Sequence, residues 1–239
     1  VGVMRWISLS IFWLITSFYS LIGNCGIAIV LTTLVVRTVF LPISYRSTVW
    51  SEKMKELQPE MKKIQEKYAS DPQMKGQKTM ELYREHKVSP IGGCLPMLFQ
   101  IPVFFALFSV LRNAIELRHA EFFLWINDLS MPDALFNIPE AVPFVGDSTF
   151  NVLPFLMAGA MFTQQKLMPT SADPMQQKMM LFMCVFILLV CYSMPSGLTL
   201  YWTVSNIFTI GQYKIIHSMV QKKKANKENQ KQREKGQPA

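Results

Sequence analysis

Charge is what this sequence has least of. Of its 239 residues only 17% are Asp, Glu, Lys or Arg, half are hydrophobic, and the mean hydropathy is +0.21. Soluble domains carry roughly a quarter charged residues. The shortage is concentrated: no charged residue occurs from Trp6 to Val36, from Ile91 to Leu111 or from Met179 to Tyr213. A spanning helix needs about 20 apolar residues to cross about 30 Å of hydrocarbon, so an integral membrane protein is expected. Cysteine is scarce as well. Cys25, Cys94, Cys184 and Cys191 all lie in apolar stretches without a CxxC, which excludes a disulfide framework or zinc site and leaves small packing residues. His86, His119 and His217 form no HExxH or Cys/His cluster, so no metal is expected. No GxxxxGK[ST] or GxGxxG is present to cradle a nucleotide. With 11 Gly against 16 Met and 17 Phe, collagen-like and disordered chains are excluded too. No Ser/His or paired-Asp arrangement lies inside the apolar runs, which argues against an intramembrane enzyme.

What is there divides into helices. Residues 1–20 interleave Trp6, Ile7, Leu9, Ile11, Phe12 and Trp13 with Ser8, Ser10, Thr16 and Ser17, and read as an amphipathic interfacial helix. A transmembrane start or signal remnant is the competing reading. After Gly23-Asn24 the first span is expected within 21–45, the second at 91–111 with Pro96 and Pro102 inside it, and the third at 148–165. The last apolar run is long enough for two crossings. Its midpoint turn signal Met194-Pro195-Ser196-Gly197 yields spans at 179–195 and 196–213.

Residues 42–90 hold ten Lys/Arg against seven Asp/Glu and 214–239 hold eight against two, whereas 112–149 hold two against six. With five spans the two basic segments share a side, together with the 166–178 loop carrying Lys166 and Lys178. The positive-inside rule makes that side cytoplasmic and puts the N-terminus and 112–147 outside. The net charge of +8 is then mainly a topology signal.

Within 46–90 the apolar residues Trp50, Met54, Leu57, Met61, Ile64 and Tyr68 step by 4, 3, 4, 3 and 4, the narrow seam of a packed helix. Pro59 is expected to bend it, and Ala69-Ser70-Asp71-Pro72 to break it before a second helix over 73–87. The pair is a cytoplasmic helical hairpin, either a spacer or a mobile docking element. The tail, 214–239, is basic and reads as disordered, drawn to anionic lipid or ribosomal RNA.

One residue is expensive. Arg37 lies nine residues before Arg46, about 13 Å deeper at 1.5 Å per residue, where a cation costs roughly 2.5–3.5 kcal/mol on insertion scales. It either snorkels to the headgroups or faces a wet cavity. Thr33 shares its helix face, the other spans offer Gln100, Gln164, Gln165, Ser205 and Asn206, and no span carries Asp or Glu.

Six strings occur in order along nearly the whole chain: Val36-Arg37 with Pro42; Leu57-Gln58-Pro59; Pro90-Ile91-Gly92-Gly93-Cys94-Leu95-Pro96 through Gln100-Ile101-Pro102; Leu124-Trp125-Ile126-Asn127-Asp128-Leu129-Ser130; Asp173-Pro174-Met175-Gln176-Gln177-Lys178; and Pro195-Ser196-Gly197-Leu198 with Tyr201 and Ser205-Asn206. In these the sequence resembles the YidC/Oxa/Alb family of membrane protein insertases, in its bacterial branch. The resemblance implies an all-α membrane protein, with five transmembrane helices around a hydrophilic groove open to cytoplasm and lipid. The family's groove arginine falls on Arg37, and further groove positions on Thr33, Gln100, Pro102, Phe104, Tyr201 and Trp202, beside Ser205 and Asn206. It further implies insertion and folding of nascent membrane proteins in the bacterial plasma membrane, as a monomer, alone or with the Sec translocon. Contacts with ribosome, signal recognition particle pathway and anionic lipids are implied, with no cofactor and no enzymatic step. The N-terminal span, large periplasmic domain and lipobox of family members are absent, so a processed or truncated form is expected. A small-solute channel or transporter is the rival reading, weakened by the absence of a duplicated half.

Overall fold

Pro42 decides how the chain leaves its first apolar run. Having no N–H, it cannot donate to the carbonyl of Thr38 four residues back, and the helix breaks at Phe40 with a 65° bend. The computed structural model describes residues 2–88, 95–113, 120, 122–137, 149–168 and 174–235. They form α1 (Gly2–Ile22), α2 (Cys25–Val39), α3 (Leu41–Lys67), α4 (Pro72–Glu85), α5 (Leu95–Asn113), β1 (Ala134–Asn137), β2 (Thr149–Asn151), α6 (Leu153–Leu167), α7 (Pro174–Tyr192) and α8 (Ser196–Lys235). The span expected over 21–45 is therefore two helices. The Ser89-Pro90 closure, the start of the span expected at 91–111, His119 and the Asp173 end of the 166–178 loop lie outside the described residues.

The other breaks have equally local causes. Gly23 adopts φ +74°, which a residue without Cβ does freely, and Asn24 then caps α2, its Oδ1 accepting the Ile27 N–H at 3.0 Å. Asp71 Oδ1 accepts the N–H groups of Gln73 and Met74 at 3.0 Å each, and Pro72 opens α4. Pro59, expected to bend the first hairpin helix, sits inside α3 without interrupting it.

α2 packs between α1 and α8, α5 leans mainly on α1, and α6 lies between α7 and α8. The core joins Ile11 and Ile15 of α1 to Ile29, Val103, Leu107, Leu111 and Leu198. α1 buries that stripe and leaves Trp6 and Trp13 exposed, as an amphipathic helix should. Among the described helices its segment Arg5–Ile22 is also the one long and apolar enough to cross a membrane alone, while α2 and α3 qualify only jointly across their bend. Phe105, Leu156, Phe182, Phe186 and Ile207 stand exposed on the outside, far more apolar surface than a soluble monomer shows.

The stripe of α3 is buried against α4. Met54, Leu57 and Met61 form a second small core with Leu82 and Val88, flanked by Trp50, Ile64 and Tyr83. The 112–147 segment contributes β1 to an antiparallel ribbon pairing Phe136 with Phe150, which helical patterning gives no means to foresee. One expectation needs correction. The tail is helical as far as Lys235 rather than disordered. After Gly211 it has neither Gly nor Pro until Gly236, it is rich in Lys, Gln and Glu, all good helix formers, and Tyr213, Ile216 and Val220 bury one side of it.

Gly26 is where packing leaves least room: a Cβ there would stand 2.0 Å from Phe122 Cδ2. Gly26→Val is expected to destabilise the bundle by about 1–3 kcal/mol, whereas Gly76→Ala on α4, where nothing lies within 4 Å of an added Cβ, should raise stability by about 0.5–1 kcal/mol. Thermal unfolding of both variants in detergent checks the contrast.

Candidate functional site

Because α2 stops at Val39, Arg37 lies in its last turn rather than deep within a continuous span. Its guanidinium turns inward between α5 and α8. Nε donates to Ser205 Oγ at 2.6 Å, Nη2 donates to Gln100 Oε1 at 2.7 Å and also approaches Ser205 Oγ. Gln100 Nε2 in turn donates to the Tyr201 hydroxyl at 2.9 Å. Three helices thus meet through one cation and three neutral side chains. No carboxylate among the described residues pairs with Arg37. A buried charge is costly unless it is hydrogen-bonded, and bonds from a charged donor are worth about 1.5–3 kcal/mol each, so these contacts hold the guanidinium in place.

The network forms one wall of a pocket of about 370 Å³ counted to its open mouth, lined by Val36, Arg37, Phe40, Ile43, Ser44, Gln100, Val103 and Tyr201. Ile43 and Ser44 reach it because of the break at Phe40, and nothing in the residue pattern signals that. A drier cavity of about 230 Å³ adjoins it, lined by Ile11, Ile15, Ile29, Thr32, Thr33, Val36, Val103, Leu107 and Tyr201. Thr33 belongs to that second cavity, and its hydroxyl donates to the carbonyl of Ile29 at 2.7 Å. Arg37, Gln100, Tyr201 and Ser205 are therefore brought together. The remaining candidates are not part of the pocket wall. Pro102 is half-buried within α5, Phe104 and Trp202 pack edge-on with centroids 5.2 Å apart, and Asn206 is buried with Nδ2 lacking a partner. The hairpin residues Trp50, Met54, Leu57, Met61 and Ile64 serve the second core instead.

At the opposite end of the bundle the turn before α8 is clamped. Ser196 N donates to Met131 O at 2.8 Å, Gly197 N to Leu129 O at 2.9 Å, and Ser196 Oγ to Asp128 O at 2.8 Å. Asp133 Oδ2 accepts from Trp125 Nε1 at 3.1 Å and from the first amides of α6, Val152 at 3.0 Å and Leu153 at 2.6 Å. Two of the six ordered strings, 124–130 and 195–198, are thus neighbours in space.

The profile of the 60Kd inner membrane protein family matches residues 17–224. The chain belongs to that family, the YidC family. It is 48% identical over 203 residues to the membrane protein insertase YidC of Pelobacter propionicus, covering 85% of this chain and 37% of that protein. Against the YidC insertase of Francisella tularensis subsp. novicida it is 46% identical over 215 residues, 90% of this chain and 36% of the other. A crystal structure of an active YidC insertase with its first transmembrane domain resolved superposes with a TM-score of 0.65 at 28% identity, over 87% of this chain and 45% of that one. The chain spans little more than a third of the curated YidC relatives it matches. Its all-α membrane fold is that of the family.

Replacing the bridging amide tests the network. Gln100→Leu leaves Arg37 Nη2 and the Tyr201 hydroxyl without this partner and should cost about 1–3 kcal/mol, while Tyr201→Phe, which leaves Arg37 satisfied, should cost about 1 kcal/mol or less. Thermal melts in detergent rank the two.

Proposed function

We infer that this chain is the inserting core of a membrane protein insertase in the bacterial plasma membrane. The Arg37 pocket is the deep end of a hydrophilic groove between α2, α5 and α8, open toward the cytoplasm and lipid. Five helices, α2, α5, α6, α7 and α8, cross the bilayer, α1 lies at the outer interface, and the α3–α4 hairpin and the end of α8 are cytoplasmic. A polar segment of a nascent membrane protein enters the groove and is held by Arg37 and its neutral partners. Its apolar segment slides along Phe105, Phe182, Met183 and Phe186 into lipid. No bond is made or broken, and partitioning of apolar surface supplies the drive. The ribosome, the signal recognition particle pathway and the Sec translocon are the partners that deliver substrate, the basic end of α8 meets ribosome or anionic lipid, and one copy suffices.

The observation that carries this reading is a guanidinium turned into the bundle from the last turn of α2 and, among the described residues, held by neutral side chains. Proton-coupled transport uses intramembrane acids, and none lies in the spans. A cation with no counter-charge among the described residues, between low-dielectric walls, attracts passing negative charge.

Proteoliposomes containing only this chain should insert a reporter membrane protein without admitting small solutes; solute flux without insertion would favour the channel. In the same assay Arg37→Lys should retain insertion. Arg37→Ala should slow a substrate with an acidic translocated segment about tenfold, the effect of ~1.4 kcal/mol, and a matched neutral substrate much less. Wild-type insertion of both substrates by Arg37→Ala would refute the charge mechanism.

A further inference from the structure

Outside the pocket the most heavily partnered charge among the described residues is Glu52, only 4% exposed and three turns into α3. Its Oε1 accepts the Tyr213 hydroxyl at 2.6 Å, lies 3.0 Å from His217 Nδ1 and 3.3 Å from Lys55 Nζ, and its Oε2 accepts Gln221 Nε2 at 3.4 Å. Lys55 also bonds the Tyr213 hydroxyl and sits over its ring, 5.0 Å from the centroid. Tyr213 stacks on His217 with centroids 5.7 Å apart. One turn further on, Lys224 reaches Glu56. Burial alone would raise the Glu52 carboxyl; the hydrogen bond from Tyr213, the Lys55 charge and His217 outweigh it and hold the group below its ordinary value.

The position of this cluster gives it a task. Residues of α3 before Glu52, Ser47, Thr48 and Ser51, are buried beside the bundle, and those after it, Met54, Leu57 and Met61, belong to the hairpin's own core. Glu52 stands at the junction. On the other partner, Gln212 Nε2 donates to the backbone carbonyl of Arg37 at 3.4 Å, one of the carbonyls that the break at Phe40 leaves without an intrahelical donor. Adjacent residues of α8, Gln212 and Tyr213, therefore hold the end of the arginine helix and the base of the hairpin together.

We propose that Glu52 is a positioning residue: its carboxylate clasps α3 to Tyr213, His217 and Gln221 of α8 and fixes the angle at which the α3–α4 hairpin stands over the mouth of the Arg37 pocket. Without the clasp the hairpin keeps its own core but swings about the Phe40 break. That the swing slows substrate entry rests on the insertase reading; that it occurs does not.

The test uses the full chain in nanodiscs, with native cysteines replaced and spin labels on Gln77→Cys of α4 and Thr163→Cys of α6. Double electron–electron resonance should give one narrow distance distribution for the parent. In Glu52→Ala it should broaden at least twofold, in Glu52→Asp stay close to the parent, and Tyr213→Phe should add little to Glu52→Ala, the mark of coupled partners. A side chain that merely packs would lower the Tm without this selective broadening. If Glu52→Ala does not fold, Glu52→Gln and Tyr213→Phe carry the measurement. An unchanged distribution in folded variants, or fully additive broadening, overturns the clasp. In the reporter assay Glu52→Ala should slow insertion several-fold. Equal rates for parent and Glu52→Ala overturn the positioning role, whereas a parent that inserts nothing refutes the insertase reading and leaves the distance result standing.

Discussion

The guanidinium of Arg37 has to be solvated, and the structure does this with neutral groups. A carboxylate partner would neutralise the charge; leaving it bare would cost more than the fold could sustain. Ser205 and Gln100 take a middle course, satisfying the donors while the net charge survives. That choice fixes much else. Gln100 must face α8 from α5, Tyr201 must hold Gln100, and α5 must stand off far enough for a pocket to open between them. The dry stripe of α1 then closes the far side, where Ile11 and Ile15 pack over Thr33 and Val36.

Proline and glycine made much of this legible in the sequence. The breaks at Gly23-Asn24, Asp71-Pro72 and Pro195 stand where residue chemistry puts them, and the 4, 3, 4 seam of α3 does bury its stripe. Arg37, Gln100 and Ser205 were visible because polar groups in uncharged runs are conspicuous. What was hidden depends on geometry between distant segments. Pro42 was in view, but only the structure gives a 65° bend, and with it Ile43 and Ser44 in the pocket wall. Asp133 capping α6 from twenty residues away leaves no local signature. Glu52 has no signature in the residue pattern, since periodicity marks which apolar residues are buried and says nothing of a buried carboxylate whose partners lie on α8.

The tail shows why composition misleads at a helix end. A polar, basic segment with no large apolar residue fits the description of disorder, yet α8 enters it already nucleated. Starting a helix is the expensive step, and extending one costs little where every residue is a fair helix former. The two turns before it are anchored through Tyr213, Ile216 and Val220, so propagation reaches Lys235 before Gly236 ends the run.

α8 consequently does more than line the arginine site. Tyr201, Ser205, Thr209, Tyr213, His217 and Gln221 recur every four residues, a ridge inclined to the helix axis. Its first half faces α2 and the pocket, and its second half faces α3. One helix can keep one ridge against two helices set 65° apart only if that ridge winds, and a four-residue repeat winds in just this way. The bend that Pro42 puts into one partner and the repeat along the other are therefore matched features. Shifting either by one residue would separate the arginine site from the base of the hairpin.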